Sequence, residues 1–259
     1  MAGRRARGAR TVDGPMADPS TRPMPVVFAA TARRAARPAV AWGLLFGLLV
    51  ANEALTYQAT FPTADARREF AASFGGNAGL SAVIGPGRHL DTIEGVVAWR
   101  VFGLMIVVGA VWGLLAATKL LRGEEDAGRW ELLLAGQTSR RRATLQALAG
   151  LGVGWLVFWV VGSTPIVVVG LRDTVDIPVV ASLFYGLAGT ASAALFLAVG
   201  ALSSQLAGTR RGANALAAGV FAIAYLVRLV ADAGAGLGWL RWASPLGWIE
   251  NTCPLTDPQ

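Results

Sequence analysis

The sequence predicts an all-α, polytopic membrane helical bundle with about five transmembrane helices. Three observations carry this. The chain is 54% hydrophobic and only 15% charged, against about 25% charged in an ordinary soluble domain, and its mean hydropathy is +0.51. Five segments are long and apolar enough for a helix to cross about 30 Å of hydrocarbon, which takes roughly 20 residues. The basic residues gather between those segments rather than on one face.

Residues 1–25 are rich in Arg, Pro, Gly and Ala without periodicity, and read as a disordered basic tail. "VVFAATARRAARP" follows, with Val26, Val27 and Phe28 ahead of Arg33, Arg34 and Arg37. It reads as an N-terminal interfacial helix or as a plain basic flank. The first span is 39–61. The loop 62–95 carries the breakers Gly75, Gly76, Gly85, Pro86 and Gly87, and its "TADARREFAASF" suits a short helix. The second span is 96–119. The third begins at 143 and ends near 161 or near 170, with Pro165 ending or kinking it. The fourth, 177–206, is too long for one perpendicular crossing. The fifth is 213–230. The Trp-rich "GLGWLRWASPLGWIENTCPLTDPQ" suits a membrane interface.

With the N-terminus inside, 16 basic residues fall on the inner side and five on the outer, while Arg100 and Arg228 lie within spans. The asymmetry predicts a multi-pass plasma-membrane protein with a cytoplasmic N-terminus. It also explains the net charge of +7 better than nucleic-acid binding does, since no soluble fold offers a basic face. The single His89 and single Cys253 exclude a His/Cys metal site and an intramolecular disulfide. No Ser/His/Asp or Cys/His set is assembled, and no G-x-x-x-x-G-K-[ST] loop exists to cradle nucleotide phosphates. The chain therefore reads as neither an enzyme nor a holder of a cofactor.

Between spans two and three lies "LLRGEEDAGRWELLLAGQTSRRRAT". Glu124, Glu125 and Asp126 lead, and Ala127, Trp130, Leu133 and Leu134 then share one helical face. Glu125 and Arg129 sit at i, i+4. Gly136 can end this helix and Ser139 can cap the next. Such a helix faces a polar partner, or it belongs to an ordinary basic loop resting on lipid. Glu53, Arg100, Arg228 and Asp232 form a second group, in or beside the outer third of the spans. Buried charges pair, so one ion-pair cluster is expected, stapling helices or serving as a gate or substrate site. Gly43/Gly47, Gly109/Gly113 and Gly150/Gly154 each allow close helix contact.

"RGEEDAGRWELLLAG" resembles the E-E-x-x-G-R-x-E-x-L-x-x-G loop of ABC-2 type transporter permeases, in the branch of actinobacterial polyketide-antibiotic and daunorubicin exporters. "FPTADARREFAASFGGNAGLSAVIGP", "VVAWR", "TRRGANALAAGVFAIAYLVRLVADAG" and "ASPLGWIENTCPLTDP" resemble that branch in the same order. The resemblance implies that residues 26–259 form one transmembrane domain and that the loop 120–142 carries a cytoplasmic coupling helix. Glu124, Glu125, Asp126, Gly128, Arg129, Trp130, Glu131 and Leu133 would meet a separate ATP-binding subunit, which would hold ATP and Mg. It also implies a second permease half, in the same or another chain, and export of apolar or amphipathic compounds, whether antibiotic, drug-like or lipid. The family's half-unit has six spans, so the chain reads as a first half-unit lacking its sixth. The alternative is a membrane scaffold, or an inactive truncated permease without transport.

Overall fold

The structure, a computed structural model, describes residues 26–76, 78–129, 131, 139–233 and 236–256. The tail 1–25 lies outside the described residues. Helices α1 (Val26–Thr60), α2 (Ala64–Phe74), α3 (Ala78–Ile84), α4 (Ile93–Leu120) and α5 (Arg122–Asp126) come first. Then follow α6 (Arg140–Gly170), α7 (Val179–Leu206), α8 (Arg210–Asp232), a 3-10 turn (Gly238–Ala243) and α9 (Pro245–Glu250). Five helical segments are long and apolar enough to cross a membrane: α1, α4 with α5, α6, α7 and α8. Among the described residues there is no strand.

Hydroxyl caps define where several helices begin. Thr63, Thr92, Ser139 and Thr209 each accept a hydrogen bond from the backbone N–H three residues on. Each satisfies one of the donors that a helix start leaves open.

The expected interfacial helix is not a separate element. It runs unbroken into the first span through Pro38, giving one helix of 35 residues, about 52 Å long at 1.5 Å per residue. A proline removes one backbone hydrogen bond but does not end a helix that a neighbour grips on both sides. That neighbour is α6. Gly150 and Gly154 meet Phe28, Thr31 and Ala35 before Pro38, and Gly43 and Gly47 meet Phe158, Gly162 and Pro165 after it. Pro165 likewise sits inside α6, which continues to Gly170.

The glycine pairs are therefore packing seams within the chain. A Cβ on Gly43 would stand 3.0 Å from the carbonyl oxygen of Phe158, and one on Gly109 would stand 2.8 Å from Ser192 Oγ. The seams join helices running in the same direction. α1 lies parallel to α6 and α4 lies parallel to α7, where Gly113 meets Ala193 and Gly200 meets Leu114. Aromatic rings lock the pairs together: the Phe158 ring packs at a tilt, 5.6 Å from Phe46 and 5.3 Å from Trp112 between centroids. α8 packs on α7 through Phe221 and Phe196, 5.5 Å apart.

Several hydroxyls inside the bundle are satisfied locally. Thr118, Thr190 and Ser204 donate to carbonyls one turn back at 2.7–2.9 Å, as an apolar solvent requires. Leu44, Leu45, Leu48 and Leu49 of α1 and Leu216, Val220, Ile223 and Leu226 of α8 face outward, presenting the apolar exterior of a membrane protein.

Candidate functional site

Two charged constructions occupy opposite ends of the bundle. At the end where α4 meets α6, the three acids of α5 each reach a different span. Glu124 binds Arg34 of α1 at 2.6 Å. Glu125 binds Arg140, the first residue of α6, at 3.1 Å. Asp126 accepts the backbone N–H of Arg210 at 2.6 Å, at the start of α8, where a carboxylate complements the helix dipole. Arg122 completes the clamp. It binds Glu125 at 3.0 Å and Asp126 at 3.1 Å, and donates to the Gly208 carbonyl.

The loop helix departs from its expected course at Gly128. α5 ends at Asp126, and Gly128 has φ +69°, a left-handed conformation suited to glycine. This turn swings Arg129 back. Its guanidinium binds Glu124 at 2.5 and 2.8 Å, not Glu125 as the i, i+4 spacing implies. The hydrogen bond to Glu124, and then its charge, holds the Arg129 guanidinium above its ordinary value. Glu131 is exposed beyond the turn. Trp130, Leu133, Leu134 and Gly136 lie outside the described residues, and so does the predicted apolar face beyond Ala127.

At the opposite end, the four charges expected in one cluster divide into two groups. Arg100 binds Glu53 at 2.8 Å with both partly exposed, and its guanidinium lies 5.4 Å over the Phe70 ring. Arg228 and Asp232 are buried, with side-chain exposures of 3% and 0%, and lie 3.3 Å apart. Two partners absent from the sequence reading complete this second group. Glu250 of α9 binds Arg228 through both oxygens, at 2.7 and 3.1 Å, and Arg241 binds Asp232 at 2.7 Å. The two cations and two carboxylates balance, as buried charge requires.

Space for this network comes from glycine. Gly85 has φ +108°, and a Cβ there would collide with the Glu250 carboxylate; one on Gly103 would stand 3.5 Å from Arg228 Nη2. Beside the network lies a small cleft of about 50 Å³, walled by Trp99, Phe102, Arg241, Glu250 and Cys253. The Trp-rich segment 236–259 is expected at a membrane interface; within it Trp239 and Trp242 are exposed. Its Arg241 and Glu250 nevertheless turn inward. Two unmatched charges near the end of an apolar α8, followed by Arg241 and Glu250, were the available signal.

Neither construction assembles a nucleophile with a base. One staples the 3-10 turn and α9 to α8; the other ties a loop to three spans. The family model "Multidrug efflux system permease Rv1217c, C-terminal domain" matches residues 39–258. The multidrug efflux system permease protein Rv1217c of Mycobacterium tuberculosis (strain ATCC 25618 / H37Rv) is 30% identical over 214 residues, covering 82% of this chain. The chain spans 37% of that relative's length. The matched model describes a C-terminal domain, whereas the sequence reading placed the chain as a first half-unit. The match covers four of the five crossing helices entirely and α1 from Ala39 onward, so the chain belongs to the family of the multidrug efflux system permease Rv1217c, C-terminal domain.

Proposed function

We propose that this chain is the membrane-embedded permease part of an ATP-driven exporter of the ABC-2 type. It moves apolar or amphipathic, drug-like compounds out of the cell. A separate ATP-binding subunit holds ATP and Mg, and a second permease half completes the path. The N-terminus and α5 lie on the cytoplasmic side.

The observation that carries the reading is the clamp of α5: three consecutive acids bind three different crossing helices. A force on this loop reaches α1, α6 and α8 together, which is what a motor outside the membrane needs. Family membership and the loop motif point the same way. Because Glu124, Glu125 and Asp126 bind other helices, Glu131, exposed beyond the turn, meets the ATP-binding subunit. The acids transmit; the residues beyond Gly128 dock.

Co-purification of the solubilised chain from its native host tests this. The ATP-binding subunit should accompany the native chain and fall about tenfold with Glu131→Arg, the scale of losing one interfacial charge contact. If no ATP-binding protein accompanies either form, the chain is a scaffold or a permease without a motor.

A further inference from the structure

Between α1 and α4, beside α5, lies a cavity of about 590 Å³. Its walls are apolar: Ala35, Pro38, Ala116 and Leu120. Its charged rim holds four cations, Arg34, Arg37, Lys119 and Arg129, and one carboxylate, Glu124. That carboxylate is shared, accepting from Arg34 at 2.6 Å and from Arg129 at 2.5 Å. Arg37 and Lys119 are exposed and make no ion pair among the described residues. The rim therefore carries a net charge of about +3, above a slot that suits hydrocarbon. Arg34 and Arg37 directly precede the apolar stretch of α1 that opens at Pro38, and Lys119 lies in the last turn of α4, positions where basic residues flank a membrane crossing.

We infer that this cavity binds an anionic phospholipid, with its phosphate against Arg37 and Lys119 and an acyl chain along Ala35, Pro38, Ala116 and Leu120. Basic pockets between crossing helices capture such headgroups, and each nearby cation strengthens the attraction. A zwitterionic lipid gains no net attraction from the rim, and a free phosphate ion leaves the apolar walls uncovered. The inference rests on the membrane-spanning fold alone and stands whether or not the chain transports anything.

Native mass spectrometry of the full chain in detergent tests it. The probes are dioleoylphosphatidylglycerol, dioleoylphosphatidylcholine and inorganic phosphate. Phosphatidylglycerol should remain bound at concentrations where phosphatidylcholine does not. Arg37→Gln/Lys119→Gln should weaken its retention roughly tenfold, and Arg37→Lys/Lys119→Arg should restore it. Arg141→Gln/Arg142→Gln removes two exposed charges from the same end of the bundle but outside the cavity, and should leave retention unchanged. Equal retention of the two lipids, or equal weakening by the two Gln pairs, would overturn the site. Displacement of phosphatidylglycerol by inorganic phosphate would reassign it to a free anion.

Discussion

Removing the Arg228 guanidinium would leave Asp232 and Glu250 without the cation that both of them bind. Breaking a buried pair from one side costs far more than the pair contributes, because the orphaned charge stays desolvated. Arg228→Met should therefore lower unfolding stability in detergent by about 3–5 kcal/mol. Arg100→Met should cost less, because the Arg100 side chain is 42% exposed against 3% for Arg228. Equal denaturation midpoints for the two variants would show that burial does not set their difference. At this scale the sequence was half legible. Arg228 and Asp232 stand out in an apolar helix, and Glu53 and Arg100 stand out for the same reason. Their partners do not. Glu250 lies 22 residues from Arg228, and Arg34 lies 90 residues from Glu124, and no spacing rule joins positions that only the fold brings together.

Helices were more legible than contacts, because crossing a bilayer demands length and apolarity that few other roles demand. All five long helices overlap the spans that hydropathy predicts; four start earlier, and α7 starts two residues later, at Val179. Hydropathy stops at the first charge, whereas α6 begins at Arg140 behind Ser139, and α8 at Arg210 behind Thr209. Hydroxyl caps mark those boundaries better than charge does. The amphipathic pattern of 26–37 suits a separate interfacial helix; the grip of α6 that carries α1 unbroken through Pro38 is visible only in three dimensions. That grip makes a prediction. Gly47→Val drives a branched side chain into Gly162 and Pro165 and should destabilise by about 1–3 kcal/mol. Gly219→Val meets nothing within 4 Å and should leave the thermal midpoint of the purified chain nearly unchanged. At Gly128, φ +69° makes Ala unfavourable, and Gly128→Ala should speed proteolysis of the loop that follows.

The whole bundle is two parallel helix pairs, α1 with α6 and α4 with α7, closed on one flank by α8. One end is clamped by α5 and the other by the network around Arg228. With α5 on the cytoplasmic side, a membrane-impermeant maleimide should label Asp173→Cys in intact cells, and Ala127→Cys only after permeabilisation, both in a Cys253→Ser background. The reverse pattern would invert the proposed orientation. The α5 clamp is the part of the molecule through which motor and path would communicate, and charge-neutral substitution separates its transmission from docking. The measurement to make is drug efflux from cells carrying Glu124→Gln/Glu125→Gln/Asp126→Asn, with the bound ATP-binding subunit quantified in the same preparation. If α5 transmits force to α1, α6 and α8, the variant keeps its ATP-binding subunit and efflux falls about tenfold or more, the scale of one lost coupling step. Efflux at the native rate with the subunit still bound would contradict the clamp as the route of coupling.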